Sequence, residues 1–292
     1  MKEYIAFDIG GTQIKYGIVS ETGIVLKHKT VPTEIHLGGE QIIQKLILLS
    51  KNLMGEHTIS GIGISTAGIV DIYKGIVTGG AEHIPNYATI PIIDRLQEVL
   101  QVPVSIDNDV NCAAFGEKWN GSGRDKRNFI ILTLGTGIGG AIFIDGELYR
   151  GHSFSAGEWG NMLIEGKTFE EVASISGLIR LVRNYKGDGN WNGKTIFELY
   201  DKGDKEVTQA VEVFFKQLAI GISNLAYIFN PETIIIGGGI TNRGNEFLKE
   251  VKEEVSKYLN KEIYNNCEIE LAQNGNCAGM VGAIYHFLHH HK

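Results

Sequence analysis

Short β-rich runs open the chain. YIAFDI, IKYGIV and GIVLKHKTV, separated by the turns GGTQ and SETG, predict three consecutive antiparallel strands. From Gly39 the apolar positions Ile42, Ile43, Leu46, Leu49 and Leu53 recur at helical spacing, and ISGIGIST behind them predicts a buried strand. That order implies a helical crossover to a parallel strand. PVSIDND predicts a strand that ends in polar residues, and VNCAAFGEKW predicts a helix starting at that end.

The order then repeats. NFIILTL, GTGIGG, AIFIDG and ELYRG predict a second strand, glycine turn, strand and short strand, echoing the DIGGT hairpin. Long helical segments follow, including EVTQAVEVFFKQLAIGISNLAYIF, which should stop at Asn230-Pro231 because proline cannot continue a helix. TIIIGGG predicts a buried strand entering a glycine turn, NEFLKEVKEEVSKYL an amphipathic helix, CEIELA a last strand and CAGMVGAIYHFL a last helix. Two related halves, with no low-complexity linker between them, account for this order.

Composition narrows the choice of partner. At 292 residues and 43% hydrophobic content the chain can build one large core or two ordinary ones. A formal net charge of −7 and a pI near 5.7 argue against a nucleic-acid surface, which needs clustered Lys and Arg, and favour a neutral or small anionic partner. Cys112, Cys267 and Cys277 are odd in number and lack C-x-x-C spacing, so neither a disulfide framework nor a structural zinc site is expected; a reducing cytoplasm fits. MKEYIAFDIGG has no long apolar stretch of a signal peptide, and no apolar run is expected to approach the roughly 18 to 20 residues of a membrane helix, so a soluble protein is expected. The closing HFLHHHK is read as a frayed helix end or the remnant of an added tag and receives no function.

The glycine loops carry the candidate chemistry. Gly135, Gly137 and Gly140 match G-x-G-x-x-G, but a dinucleotide fingerprint must open a helix, whereas AIFIDGEL behind these glycines predicts a strand. The stretch is therefore a hairpin, and no G-x-x-x-x-G-K-[ST] pattern occurs. Converging backbone N–H groups of a glycine hairpin could hold an anion, and a plain tight turn is an equal reading of the same residues.

Several such elements occur in order: DIGGT with Lys15 three residues beyond Thr12, DND at 107–109, LGTGIGG, GEWGN and IIIGGG. In order and spacing they resemble the ROK sugar kinases, within the hexokinase and actin class of ATP-binding folds, over essentially the whole chain. The resemblance implies an α/β, two-domain, actin-like ATPase (ribonuclease H-like) fold with an interdomain catalytic cleft. The smaller domain would comprise residues 1–112 plus 278–292, and the larger 113–277. It also implies ATP and Mg2+ as cofactors. Asp8 would orient hydrated magnesium; Gly10, Gly11, Thr12 and Lys15 would form the first phosphate loop; Gly135, Thr136 and Gly137 would hold the phosphates from the other side. Gly237, Gly238 and Gly239 would let adenosine approach the backbone. Asp109 matches the family's catalytic base, and Asn108 would bind the same sugar. Read without the family, both suit ordinary helix capping at a strand-to-helix junction.

Sugar hydroxyls pair with amides and carboxylates, and by family position these are Asn86, Glu158 and Glu170, with Glu171 the alternative to Glu170. Most relatives carry a zinc-binding histidine where Asn161 stands, followed by a cysteine-rich loop. Here only MLIEGKTF separates Asn161 from Glu170, so no zinc site is expected. The smaller Asn161 and the trimmed loop should leave room beside C1 of the sugar. Phosphorylation at O6 of a glucose unit with a β-linked substituent, such as cellobiose, is the leading expectation, with Tyr87, Trp159 or Trp191 stacking on that substituent. Glucokinase, fructokinase, N-acetylmannosamine kinase and a non-catalytic sugar sensor are the alternatives. A repressor is not expected, because the first phosphate loop begins at residue 8. Domain closure about a hinge near residues 109–120 is expected, as is a homodimer from the resemblance.

Overall fold

A computed structural model describes residues 1–290; His291 and Lys292, the end of the histidine tail, lie outside the described residues. The elements in chain order are β1 (Glu3–Ile9), β2 (Gln13–Ser20), β3 (Val25–Pro32), α1 (Gly39–Met54), β4 (Ile59–Thr66), β5 (Ile69–Asp71), β6 (Ile76–Gly79), α2 (Ile92–Leu100), β7 (Val104–Asn108) and α3 (Asp109–Asn120). There follow β8 (Phe129–Leu134), β9 (Ile138–Ile144), β10 (Glu147–Leu148), β11 (Leu163–Ile164), β12 (Lys167–Thr168), α4 (Phe169–Ala173), α5 (Ile175–Lys186), α6 (Gly193–Asp201) and α7 (Lys205–Phe229). The last elements are β13 (Thr233–Gly237), α8 (Asn245–Val255), α9 (Lys261–Asn266), β14 (Glu268–Leu271) and α10 (Ala278–His290). The chain forms two compact units, the first of Met1–Arg124, Arg150–Ser155 and the chain from Gln273, the second of Asp125–Tyr149 and Ala156–Ala272.

The first unit is built on a sheet of order β3-β2-β1-β4-β7, antiparallel through β3, β2 and β1 and parallel from β1 to β4 to β7. Alternation along β1 buries both of its faces. Ile5, Phe7 and Ile9 join Ile42, Ile43 and Leu46 of α1, while Tyr4 and Ala6 join Met280, Ile284 and Phe287 of α10. Each fully buried Ile or Phe of this kind contributes about 1.5–3 kcal/mol. The same period places Asp8 on the α10 face, at the one end of β1 where a glycine, Gly279, opens the helix and leaves space for a carboxylate.

The second unit repeats the plan with the sheet β10-β9-β8-β13-β14. β8 and β9 pair antiparallel, so the glycines between them form a hairpin turn, and β8, β13 and β14 run parallel. Helix α7 is capped by Asp204, which accepts from Val207 N at 3.1 Å, and ends at Asn230 in a left-handed conformation before Pro231. Contrary to the expectation from the apolar runs, this 25-residue helix is long and apolar enough to cross a membrane. Val211, Phe214, Leu218 and Ile222 instead lie in the core of the second unit.

The division of the chain differs from the expected one at 112/113 and 277/278. All of α3 belongs to the first unit because it packs on α10 through small residues: a Cβ on Gly116 would meet Ala278 O at 2.8 Å, and one on Gly282 would strike Cys112 O. The hinge expected at 109–120 thus falls on a continuous helix, and the chain leaves the first unit only after Arg124. The buried Glu117 carboxylate ties the departing and returning segments together, accepting from Ser122 N (2.9 Å), Gln273 N (3.0 Å) and Asn274 N (2.8 Å).

Candidate active site

In the first unit, strand register lines up a polar row. Lys15 lies opposite Asp8, Asp8 opposite Ser65, and Ser65 opposite Asp107, across β2, β1, β4 and β7. Asp8 accepts from Lys15 Nζ at 3.0 Å and from Ser65 Oγ at 2.8 Å. The turn before Lys15 closes by a hydrogen bond from Gly10 N to Gln13 O (3.0 Å) and is braced by Thr33, whose Oγ1 donates to Gly10 O (2.6 Å) and whose N donates to Thr12 O (3.0 Å). Gly11 and Thr12 remain exposed at its tip.

One residue further along the sheet the chain turns into α3, and three consecutive polar residues take separate tasks. Asp107 points inward, fully buried, accepting from Asn108 N (2.8 Å), Asn111 Nδ2 (3.0 Å) and the Arg150 guanidinium. Asn108 is the helix cap: its Oδ1 accepts from Val110 N (2.9 Å) and Asn111 N (3.1 Å), and its Nδ2 donates to Gly68 O (2.9 Å). Asp109 is the first helical residue, partly exposed, with Oδ1 accepting from Val110 N at 2.9 Å. Asn86 is exposed in a left-handed conformation (φ 53°) on the loop before α2.

The second unit holds the other half of the expected residues. At the β8–β9 turn, Gly135 N donates to Gly137 O (3.1 Å), and Ile175 N, from the start of α5, donates to Gly135 O (2.9 Å). Gly157, at φ 97°, packs its backbone on β9, where a Cβ would meet Gly140 C at 2.8 Å. It aims the 158–161 turn, in which Asn161 is exposed and donates its backbone N–H to Glu158 O at 3.3 Å. Behind it, MLIEGKTF is the β11–β12 hairpin, whose Glu165-Gly166 turn has φ of 49° and 83°, as a two-residue hairpin turn requires.

The choice between Glu170 and Glu171 has a clear geometric basis. Glu171 closes a capping box, accepting from Thr168 N and Thr168 Oγ1, both at 2.8 Å. Glu170 turns the other way: its Oε2 would lie 2.7 Å from a Cβ on Gly137 and 3.0 Å from one on Gly160, so the absence of side chains there makes its space. Its charge reaches Glu158, whose carboxyl is pushed above its usual range first by burial against the protein and then by Glu170, although its side chain touches solvent.

Beside the hairpin turn lies a cavity of about 650 Å³, walled by Ile175, Ile179, Phe197 and Ile240 and reached by the backbone of Gly135, Thr136 and Gly239. Arg243 closes one side, stacked over Phe197 at 4.6 Å and paired with Asp201 at 2.8 Å. Gly238 (φ 97°) makes the approach possible, since a Cβ there would meet Leu134 C at 2.8 Å. An apolar slot of this size with a few polar groups suits a planar base and a ribose. Asp8 offers one carboxylate, and among the described residues no three His, Cys, Asp or Glu side chains gather around a metal position. That donor set fits a magnesium ion brought in on nucleotide phosphates, which uses one or two carboxylates and otherwise phosphate and water oxygens.

The aromatic residues expected to stack on a sugar substituent do not stand where that role needs them. Tyr87 is buried, bonded to Thr66 Oγ1 at 2.8 Å, and burial pushes its hydroxyl up to about 12. Trp159 is buried against Gly140 and edge-on to Phe229. Trp191 donates to Gly187 O at 2.9 Å and packs on the second core. All three are core or loop-packing residues because their polar atoms find partners inside their own unit. Arg150 and the cavity walls of α5 and α6 escaped the sequence reading, having no local motif; the inward Asp107 was open to it, since strand alternation sets it opposite to Asn108.

Residues 4–290 match the model of the ROK family. The chain belongs to the ROK family. It is an ATP:sugar phosphotransferase with that family's actin-like fold. It is 37% identical to a beta-glucoside kinase of Listeria monocytogenes, covering 97% of this chain and 96% of that one. It is 32% identical to a glucokinase of Halalkalibacterium halodurans, covering 96% and 93%. A ROK family glucokinase from Streptomyces griseus, solved in complex with glucose and AMPPNP, superposes with a TM-score of 0.82 at 28% identity over 96% of this chain and 97% of that one.

Proposed function

We propose that this ROK kinase phosphorylates O6 of a glucose unit bearing a β-linked substituent. The observation that carries the reading is the exposed Asn161 at the end of the 158–161 turn, backed by a hairpin of minimal length instead of a long loop. A short side chain and a short hairpin leave space for a substituent at C1. The 37% identity to a beta-glucoside kinase supports the same specificity. With Tyr87 and Trp159 in the cores, the substituent is accommodated by room and solvent rather than by an aromatic platform.

In this reading adenosine occupies the cavity beside Gly239, and the two glycine turns, Gly10–Thr12 and Gly135–Gly137, take the phosphates. A magnesium ion at Asp8 would offset phosphate charge. Asn86, Asn108, Glu158, Asn161 and Glu170 hold the sugar hydroxyls; Asn108 has a second Nδ2 hydrogen for this beyond the one given to Gly68. Asp109 takes the proton of the sugar hydroxyl as that oxygen bonds to phosphorus, and the bond to the β-phosphate oxygen breaks, ADP leaving with the electron pair. A homodimer belongs to the same proposal and is checked by light scattering.

The test is ADP release with cellobiose, a simple β-glucoside, glucose, fructose and N-acetylmannosamine. A kcat/KM highest for the two β-glucosides supports the proposal. Preference for free glucose would favour the glucokinase reading, to which the 32% identical relative points.

A further inference from the structure

We propose that His83 is a substrate-contacting residue that binds the terminal phosphate of ATP. A Cβ built on Gly11, at the exposed tip of the first glycine turn, would have His83 as its neighbour, Nε2 at 3.6 Å and Cδ2 at 3.8 Å. The imidazole therefore overhangs the backbone of that turn with a nitrogen leading. That spacing is ordinary van der Waals contact, so the ring stands beside the exposed tip of the turn, where converging backbone N–H groups of a glycine turn favour an anion.

The loop that carries His83 is fastened on both sides of it. Glu82 Oε1 accepts from Gly80 N (2.9 Å), Ile84 N donates to Ala81 O (2.9 Å), and Pro85 O accepts from Gly39 N (2.8 Å). Ile84 and Tyr87 are buried in the first core, and Tyr87 is bonded to Thr66 at the end of β4. Between these anchors His83 and Asn86 are the exposed polar side chains. The backbone that carries the imidazole is thereby held in place beside the turn, which lowers the ordering cost of binding. It also supplies a donor where one is wanted, because the charge of Lys15 is already shared with Asp8 at 3.0 Å.

Which phosphate it meets rests on the kinase reading above. Adenosine is assigned to the second unit, whereas the Gly10–Thr12 turn shares the first unit with Asp109. The phosphate gripped by that turn is then the one handed to the sugar oxygen. His83 should accordingly distinguish ATP from ADP.

The experiment titrates wild type, His83→Ala and His83→Gln with AMPPNP and with ADP, each with Mg2+, by calorimetry, alongside sugar kinase assays. His83→Ala is expected to weaken AMPPNP about tenfold, the loss of one hydrogen bond to a charged group, while ADP changes less than about twofold. His83→Gln, which keeps an N–H donor, should recover part of the AMPPNP affinity, and kcat/KM for ATP should follow the AMPPNP values. Melting temperatures should stay at the wild-type value, since His83 is exposed. Equal weakening of both nucleotides, or of neither, overturns the assignment while leaving a wild type that binds AMPPNP and phosphorylates sugar as a kinase. A wild type that fails to bind AMPPNP overturns the assignment together with the kinase reading.

Discussion

Replacing Arg150 tests how the structure holds the end of β7 beside Asp109. Arg150 pairs with Asp107, which is fully buried, and its own side chain is only 18% exposed. Its guanidinium also lies over the Phe115 ring at 5.6 Å. Arg150→Met keeps the apolar stem but removes the guanidinium from a buried carboxylate, leaving it His286, whose Nδ1 lies 3.9 Å away, as a basic neighbour; losing one partner of a buried pair costs about 3–5 kcal/mol. Asp107 retains the hydrogen bonds from Asn108 N and Asn111 Nδ2, so the loss should fall near the lower end, about 3 kcal/mol. For a chain of this size that corresponds to a fall of about 6–12 °C in Tm. The assay is thermal and urea unfolding of wild type, Arg150→Met, and Arg150→Met combined with Asp107→Asn. The double variant removes the stranded charge yet keeps an acceptor for Asn108 and Asn111, and should recover most of the lost stability. A single variant within about 0.5 kcal/mol of wild type, or a double variant less stable than the single, would refute the argument.

Asp109→Asn should leave nucleotide affinity and Tm near wild type and lower kcat by about 10²–10⁴, as loss of a general base does; near-normal turnover removes Asp109 from that role. Glu170→Gln should raise KM for the sugar with little change for ATP, while Glu171→Ala, which removes the capping-box acceptor, should lower helix stability by about 1 kcal/mol and leave KM alone; reversed effects would exchange the two. Glu158 has a folded pKa above its ordinary value, so its charge destabilises the sugar-free protein as pH rises through that pKa. Glu158→Gln should therefore melt above wild type at neutral pH, with the gap closing on acidification, and bind sugar poorly throughout; a gap that widens in acid contradicts this sign. Gly238→Ala, strained at φ 97° and pressed on Leu134, should weaken AMPPNP binding and cost about 1–3 kcal/mol, and an unchanged affinity would separate this turn from the nucleotide.

Much of this molecule was legible from period and punctuation. The three opening strands, the α1 crossover, the second hairpin and the stop of α7 at Asn230-Pro231 follow from alternation, helical spacing and turn residues, all of which are local. The limits were equally physical. Tyr87 and Trp159 look like available platforms in sequence, but whether an aromatic ring faces a core depends on what packs over it, here the first core and Gly140. The division after Arg124 depends on glycines of α3 and α10, far apart in sequence, matching each other's backbone. Of two adjacent glutamates, the nearby Thr168 marks Glu171 as a capping-box partner; that Glu170 fills the space over Gly137 and Gly160 has no sequence signal.

The DND stretch shows why a capping motif and a catalytic motif need not compete. A strand that runs into a helix passes from a two-residue to a 3.6-residue period, so three successive side chains leave in three directions. Asp107, still on the strand, points inward and is bonded by Arg150 and by Asn111 of the first helical turn. Asn108 caps that turn and is itself fastened to Gly68. Asp109 then emerges partly exposed at the first helical position, on a backbone held by both predecessors. Capping fixes the helix end in place, and a fixed helix end is what a proton-accepting carboxylate requires to meet one hydroxyl of a bound sugar. In the proposed mechanism the two roles are consecutive links in one arrangement, and removing the cap should reduce turnover through Asp109 as well as stability.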